Sequence, residues 1–212
     1  MSVVSPSLRD RVRGIATPVA LAMGRVGLTP NALTLIGFGG TVAAAVAAGL
    51  QAWALAGVLV LVFGVFDMFD GTLARATGRA SRLGAFMDSV FDRWGEGIAY
   101  VGIVAGCVAA GFAEGAVLAA AAMASAFMVS YARAKSEGLG FTAGTGMAAV
   151  GLAPREVRIV ILTAGLLWTG LAGDVRPLAV SLGLIAILAT ITVIQRVIHV
   201  INQNRQQENT NT

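Results

Sequence analysis

Four aspartates interrupt apolar helical sequence between residues 67 and 92, in the stretch DMFDGTLARATGRASRLGAFMDSVFD, and they limit what this chain can fold into more than any other feature. An ionised side chain at mid-bilayer costs roughly 2.5 to 3.5 kcal/mol on the insertion scale, so four unneutralised ones would offset most of a helix's insertion energy. A fold that buries them must bring cations to them. Asp67 and Asp70 are spaced i,i+3 and Asp88 and Asp92 i,i+4, so each pair shares one helix face. Asp70 and Asp67 stand five and eight residues before Arg75, and Asp88 and Asp92 six and ten after Arg82. At about 1.5 Å rise per residue, an antiparallel hairpin with its tip at residues 76 to 82 sets the two pairs at similar depth. Four hard-oxygen ligands converging from two helices suit Mg²⁺ or Mn²⁺, and two ions could share them.

The chain around this stretch has 212 residues, 57% hydrophobic and 12% charged, with a mean hydropathy of +0.80. These values exclude an ordinary soluble domain and indicate a polytopic membrane protein. The single cysteine, Cys107, excludes a disulfide framework and any thiolate cluster. A net charge of +4 would suit nucleic acid, but the basic residues are placed by the positive-inside rule instead, so no nucleic-acid partner is expected. The first 14 residues carry Arg9, Arg11 and Arg13 without the apolar core that a cleavable signal requires.

Residues 7 to 24 set Leu8, Val12, Ile15 and Val19 on one stripe and Arg9, Asp10, Arg11 and Arg13 off it, the pattern of an amphipathic helix lying in the membrane interface. Thr29 and Pro30 then read as N-cap and first residue of the next helix. Six transmembrane helices are expected at about 32–50, 52–75, 83–112, 116–135, 154–171 and 177–201. Residues 1–201 thus form one all-α integral membrane domain, and residues 202–212 a polar, disordered tail. With six spans, fourteen of the fifteen basic residues fall on one side and only Arg176 on the other. That asymmetry makes a multi-pass cell-membrane protein whose termini and carboxylate hairpin are cytoplasmic.

The spacing D-x-x-D-G-x-x-A-R-x8-G-x3-D-x3-D is carried by Asp67, Asp70, Gly71, Ala74, Arg75, Gly84, Asp88 and Asp92, and it resembles the signature of the CDP-alcohol phosphotransferase family. The resemblance implies a six-helix membrane core, usually dimeric, with a cavity facing the cytoplasm. It implies a phosphatidyltransferase of the EC 2.7.8 type, which moves a substituted phosphate from CDP-diacylglycerol or a related CDP-lipid to a hydroxyl and releases CMP. Carried over residue by residue, Asp67, Asp70 and Asp88 are the principal ligands of Mg²⁺, with Mn²⁺ as a substitute and two ions expected. Asp92 is the catalytic base and a further metal contact. Thr29, Pro30, Asn31, Ala32, Gly71, Ala74, Arg75, Ser81 and Gly84 lie against the CDP-lipid. The residue types suit this chemistry, since a diphosphate needs divalent cations, Gly71 leaves room for a nucleotide and Arg75 offers a fork to its phosphates.

A second group, Ser130, Arg133, Lys135, Arg155, Arg158 and Arg196, exceeds what positive-inside charge requires and matches a phosphorylated acceptor. The segments SYARAKSEG, PREVR and VIQRVIHV are similar to those of the phosphatidylinositol-phosphate synthase branch, whose acceptor is inositol 1-phosphate. A branch that takes glycerol 3-phosphate, the phosphatidylglycerol-phosphate synthases, or another member of the family is the alternative. Two other readings compete: a cation channel or transporter with an intramembrane carboxylate cluster, and aspartates merely paired with Arg75, Arg79, Arg82 and Arg93. The first needs polar residues continuing to the far side, which the other spans lack. The second needs Arg93 to turn towards Asp92, although adjacent residues point to different helix faces.

Overall fold

The computed structural model of the protein describes residues 6–141 and 150–210, apart from the side chains of residues 6–13, 15 and 210. The expected stripe of Leu8, Val12 and Ile15, the charges of Arg9, Asp10, Arg11 and Arg13, and most of the Gly-rich loop lie outside what is described. Among the described residues there are eight helices and no strand: α1 (Pro6–Arg25), α2 (Pro30–Gly49), α3 (Trp53–Phe66), α4 (Met68–Ala76), α5 (Arg82–Ala109), α6 (Ala113–Gly138), α7 (Arg155–Ala172) and α8 (Arg176–Thr210).

The helix starts follow local chemistry. Thr29 caps α2 by accepting the amide of Ala32 at 3.2 Å, with Pro30 in the first turn, and Ser81 caps α5 by accepting the amide of Gly84 at 3.0 Å. Asp67 joins α3 to α4 with near-helical angles, so residues 53–76 act as one bent rod that ends in the polar hairpin.

Close packing of small residues holds the bundle. Gly102 and Gly106 of α5 lie so near Ala45 and Ala48 of α2 that a Cβ at either glycine would strike the facing carbonyl oxygen. Gly57 of α3 gives the same clearance to Leu166 and Leu167 of α7. The main core gathers Trp53, Ala56, Tyr100, Ile103, Leu166 and Leu182 with their neighbours. Trp53 is therefore a core residue rather than a residue of the lipid interface. A smaller cluster of Ala20, Leu33 and Leu73 docks α1 against α2 and α4, which leaves Val19 39% exposed on the outer side.

Val62, Val101 and Ile187 are about half exposed, along with many other large apolar side chains on the outer surface. Such a surface fits a hydrocarbon solvent, not water. Among the described residues, four stretches are long and apolar enough to cross a membrane: 30–49, 53–76, 113–138 and 176–209. α5 and α7 match two of the six expected spans in position, but their charges, Asp88, Asp92, Arg93 and Glu96 on one and Arg155, Glu156 and Arg158 on the other, take them out of that set.

The expected disordered tail is a correction. α8 continues to Thr210 and, at about 1.5 Å per residue, is about 52 Å long. Extending a formed helix costs little compared with nucleating one, and the i,i+4 contacts His199 with Gln203 and Asn204 with Glu208 support the extension.

Candidate active site

The hairpin of α4 and α5 meets the starts of α2 and α7 at one polar site. Asp70, in the first turn of α4, is 5% exposed and accepts the hydroxyl hydrogen of Thr34 on α2 at 2.6 Å and the amide of Gly71. Asp67, at the joint of α3 and α4, accepts Nη2 of Arg155 at 2.7 Å, and its other oxygen lies where a side chain at Gly37 of α2 would sit. Asp92 on α5 is ion-paired through one oxygen with Nη1 of Arg155 at 3.1 Å and accepts Nη1 of Arg93 at 3.2 Å with the other. Asp88 is half-buried, within electrostatic reach of Asp70, Asp67, Arg155 and Arg93, and has no ion-pair partner among the described residues.

The four aspartates thus share one site, as their spacing requires, but their partners differ from expectation. Among the described residues no group of three or more His, Cys, Asp or Glu side chains is arranged to hold a metal ion. The guanidinium of Arg155 bridges Asp67 and Asp92 instead, and Arg93, expected on another face, reaches back to Asp92 through its long side chain. The reason is electrostatic: carboxylates facing each other in a poorly solvated site need a positive charge between them. The donor set nevertheless fits a hard divalent cation, with Asp67, Asp70 and Asp88 in mutual reach, Asp92 within reach of Asp67 and Asp88, Asp88 unpaired, and Asp67 and Asp92 held by a cationic stand-in.

Around this centre the expected donor-site residues are brought together. A Cβ at Gly84 would stand 3.1 Å from the Ser81 hydroxyl oxygen and 3.9 Å from Oδ1 of Asn31, so the starts of α2 and α5 are neighbours. Thr29, Pro30, Asn31 and Ala32 on one start and Ser81 and Gly84 on the other therefore present two helix N-termini side by side, an arrangement that favours anions. Arg75 lies over Gly71, with Nη1 3.2 Å from where a Cβ would stand, and Ala74 is half-buried beside it.

The basic group behaves differently. Arg196 on α8 is within electrostatic reach of Arg133 and Arg158, so three helices do converge there. Arg158, however, is 2% exposed and fully engaged, with Nε and Nη2 on the Glu96 carboxylate at 2.9 and 3.0 Å and Nη1 on the carbonyl of Ala153 at 2.9 Å. Arg196 donates from Nε to the carbonyl of Val150 at 3.1 Å and from Nη1 to that of Val129. In this structure both are engaged with protein groups, and both tie down the chain that leads into α7. Arg133 is exposed and paired with Glu137 at 2.9 Å, Lys135 is exposed, and Ser130 is half-buried.

Two site residues were not foreseen. Thr34 holds Asp70, and Thr192 on α8 accepts the amides of Leu152 and Ala153 at 3.0 and 2.9 Å. A threonine inside an apolar helix is the only sequence signal either gives, since most such hydroxyls bond back to their own helix.

Apolar helices that bring four carboxylates and two helix N-termini to one polar site define a class of membrane-embedded enzymes acting on phosphorylated substrates. A family model described as CDP-alcohol phosphatidyltransferase matches residues 27–203, and the chain belongs to that family. It is 37% identical over 192 residues to an archaetidylinositol phosphate synthase of Pyrococcus horikoshii, covering 90% of this chain and 93% of that protein. It is 33% identical over 193 residues to a phosphatidylinositol phosphate synthase of Mycobacteroides abscessus, covering 89% and 84%. Crystal structures of the phosphatidylinositol phosphate synthase of Mycobacterium tuberculosis are also similar. The form with CDP-DAG bound superposes with a TM-score of 0.77 at 29% identity, over 88% of this chain and 93% of that one. The form with manganese and citrate has a TM-score of 0.77 at 28% identity, over 87% and 88%.

Proposed function

We propose that this protein transfers the lipid phosphate of a CDP-lipid to the hydroxyl of inositol 1-phosphate, giving an inositol-phosphate phospholipid and CMP. The observation that carries this reading is the placement of Asp67, Asp70, Asp88 and Asp92 on facing helix ends beside the capped starts of α2 and α5. Relatives named for inositol phosphate products, one of them crystallised both with CDP-DAG and with manganese and citrate, support it. The donor is diacylglycerol-based or archaeal in type, since both kinds of product occur among the relatives.

Asp67, Asp70 and Asp88 would hold divalent cations, Mg²⁺ or Mn²⁺ and two in number, which neutralise the diphosphate and the departing phosphate of CMP. The starts of α2 and α5 and the Arg75 fork hold the phosphates and nucleotide, with Gly71 leaving space for close approach. The acceptor oxygen attacks the phosphorus that carries the lipid, the bond from that phosphorus to the CMP oxygen breaks, and the acceptor's proton passes to Asp92. Arg133, Lys135, Ser130 and Arg155 bind the acceptor phosphate, while Arg158 and Arg196 hold the frame around it.

The same reading sets residues 1–201 as one domain of six spans, with α5 and α7 crossing because their charges face the site instead of lipid. It sets α1 in the interface, termini and site on the cytoplasmic side, and two copies in the working unit.

An acceptor panel tests it: purified protein in detergent with CDP-diacylglycerol, assayed for CMP with inositol 1-phosphate, free inositol, glycerol 3-phosphate or serine. Inositol 1-phosphate should be strongly preferred. Preference for glycerol 3-phosphate would keep the anion site and change the acceptor, and preference for serine or free inositol would leave the basic group without a ligand.

A further inference from the structure

We propose that Arg155 is the resident counter-cation of Asp67 and Asp92, displaced when a divalent ion loads the aspartates and then available to the acceptor phosphate. The proposal rests on the reading above that the aspartates bind such an ion.

Arg155 is the first residue of α7, where the helix dipole disfavours a cation. Something else holds it there. Its two terminal nitrogens reach carboxylates on two different elements, Asp67 at the joint of α3 and α4 and Asp92 on α5, at 2.7 and 3.1 Å. Its Nε is buried and without a hydrogen-bond partner, so the guanidinium is incompletely satisfied in this position. Arg158, one turn along the same helix, has all three of its nitrogens engaged, and Arg196 is held by two backbone carbonyls. Backbone carbonyls and the Glu96 carboxylate lie outside the aspartate set. Of these three arginines, Arg155 is therefore the one whose acceptors another cation would claim.

The competition follows from distance and charge. A divalent ion takes carboxylate oxygens at about 2.0 to 2.1 Å for Mg²⁺, closer than a guanidinium can approach, and with twice its charge. Two cations this close on the same two carboxylates repel each other, and the weaker one leaves. Release has two consequences on this chain. The Asp92 oxygen that Arg155 now occupies gives up its guanidinium partner. The released guanidinium adds positive charge at the start of α7, in the cavity it shares with Arg158, which is itself within reach of Arg196. Cation loading and acceptor binding are thereby coupled through one side chain, and the coupling must be reciprocal.

The test is binding, measured on the full-length protein in detergent without turnover. Free Mn²⁺ is followed by electron paramagnetic resonance for wild type, R155Q, R155K and D88N, and inositol 1-phosphate binding by calorimetry with and without Mn²⁺. R155Q should bind Mn²⁺ about fivefold or more tightly than wild type, within the usual span of coupling factors, and R155K should stay near wild type. Mn²⁺ should tighten inositol 1-phosphate binding in wild type by a similar factor, and the tightening should largely vanish in R155Q. Unchanged Mn²⁺ affinity in R155Q, with D88N weakened, would overturn the Arg155 role and leave the metal reading intact. Unchanged affinity in D88N as well would remove the metal reading and this proposal together. If R155Q does not fold, wild type alone decides: inositol 1-phosphate affinity indifferent to Mn²⁺ contradicts the coupling.

Discussion

The carboxylate hairpin and the basic group at the ends of α6 and α7 and within α8 carry opposite charges at neighbouring places, yet the protein builds them in different ways. The hairpin's aspartates lie within 26 consecutive residues, and helical periodicity alone sets their faces. The basic group comes from segments dozens of residues apart. Two of its arginines, Arg158 and Arg196, end on Glu96 and on backbone carbonyls. A local motif delivers its side chains to chemistry. A dispersed set of charges must first hold its own segments together, and part of it is used for that.

This difference can be sharpened by substitutions on each side. Asp92→Asn should have the largest effect, lowering kcat by roughly 10² to 10⁴ if the carboxylate is a general base, with CDP-lipid affinity largely kept. Steady-state kinetics in both substrates would show it, and near wild-type turnover would assign the base elsewhere. Glu96→Ala should act on stability, because it leaves Arg158, 2% exposed, without its carboxylate. Breaking a buried pair costs about 3 to 5 kcal/mol, so thermal unfolding in detergent should shift strongly downward. Replacing Arg158 by Met in the same chain should recover part of the loss. An Arg158 that instead changed only the acceptor KM would put it back in the binding site.

Thr192→Val removes the acceptor of two amides, at Leu152 and Ala153. Leaving the buried donor of Ala153 unpaired costs about 1 to 3 kcal/mol, and hydrogen exchange at both amides should rise. Arg133→Gln is the smallest test. Its ion pair with Glu137 is surface-exposed on both sides, so stability should barely move. The KM for inositol 1-phosphate should rise roughly tenfold, the lower end for losing a charge-assisted hydrogen bond. An unchanged KM would return this residue to ordinary positive-inside charge.

The helices were readable from sequence wherever a local signal existed. Thr29 with Pro30 announces the start of α2 by capping chemistry, and that cap is present, whereas the cap that Ser81 gives α5 is visible only in the structure. What the sequence hid depends on partners far along the chain. Arg155 meets Asp67 across 88 positions and Arg158 meets Glu96 across 62, and no periodicity reports such contacts. Trp53 opens an apolar span, and the small residues Ala48 and Gly106 leave it a place in the core that no local pattern reports. The helical tail was missed for another reason: its polar composition describes an isolated segment, whereas here it extends a helix already formed.

The most direct test of the central claim is CMP release from CDP-diacylglycerol with inositol 1-phosphate as acceptor, before and after removal of divalent ions. The account predicts that release stops once chelation has brought the metal content to nil and returns with Mg²⁺ or Mn²⁺. It also predicts that D70N or D88N protein is not restored by either ion. Undiminished CMP release by metal-free wild-type protein would contradict it.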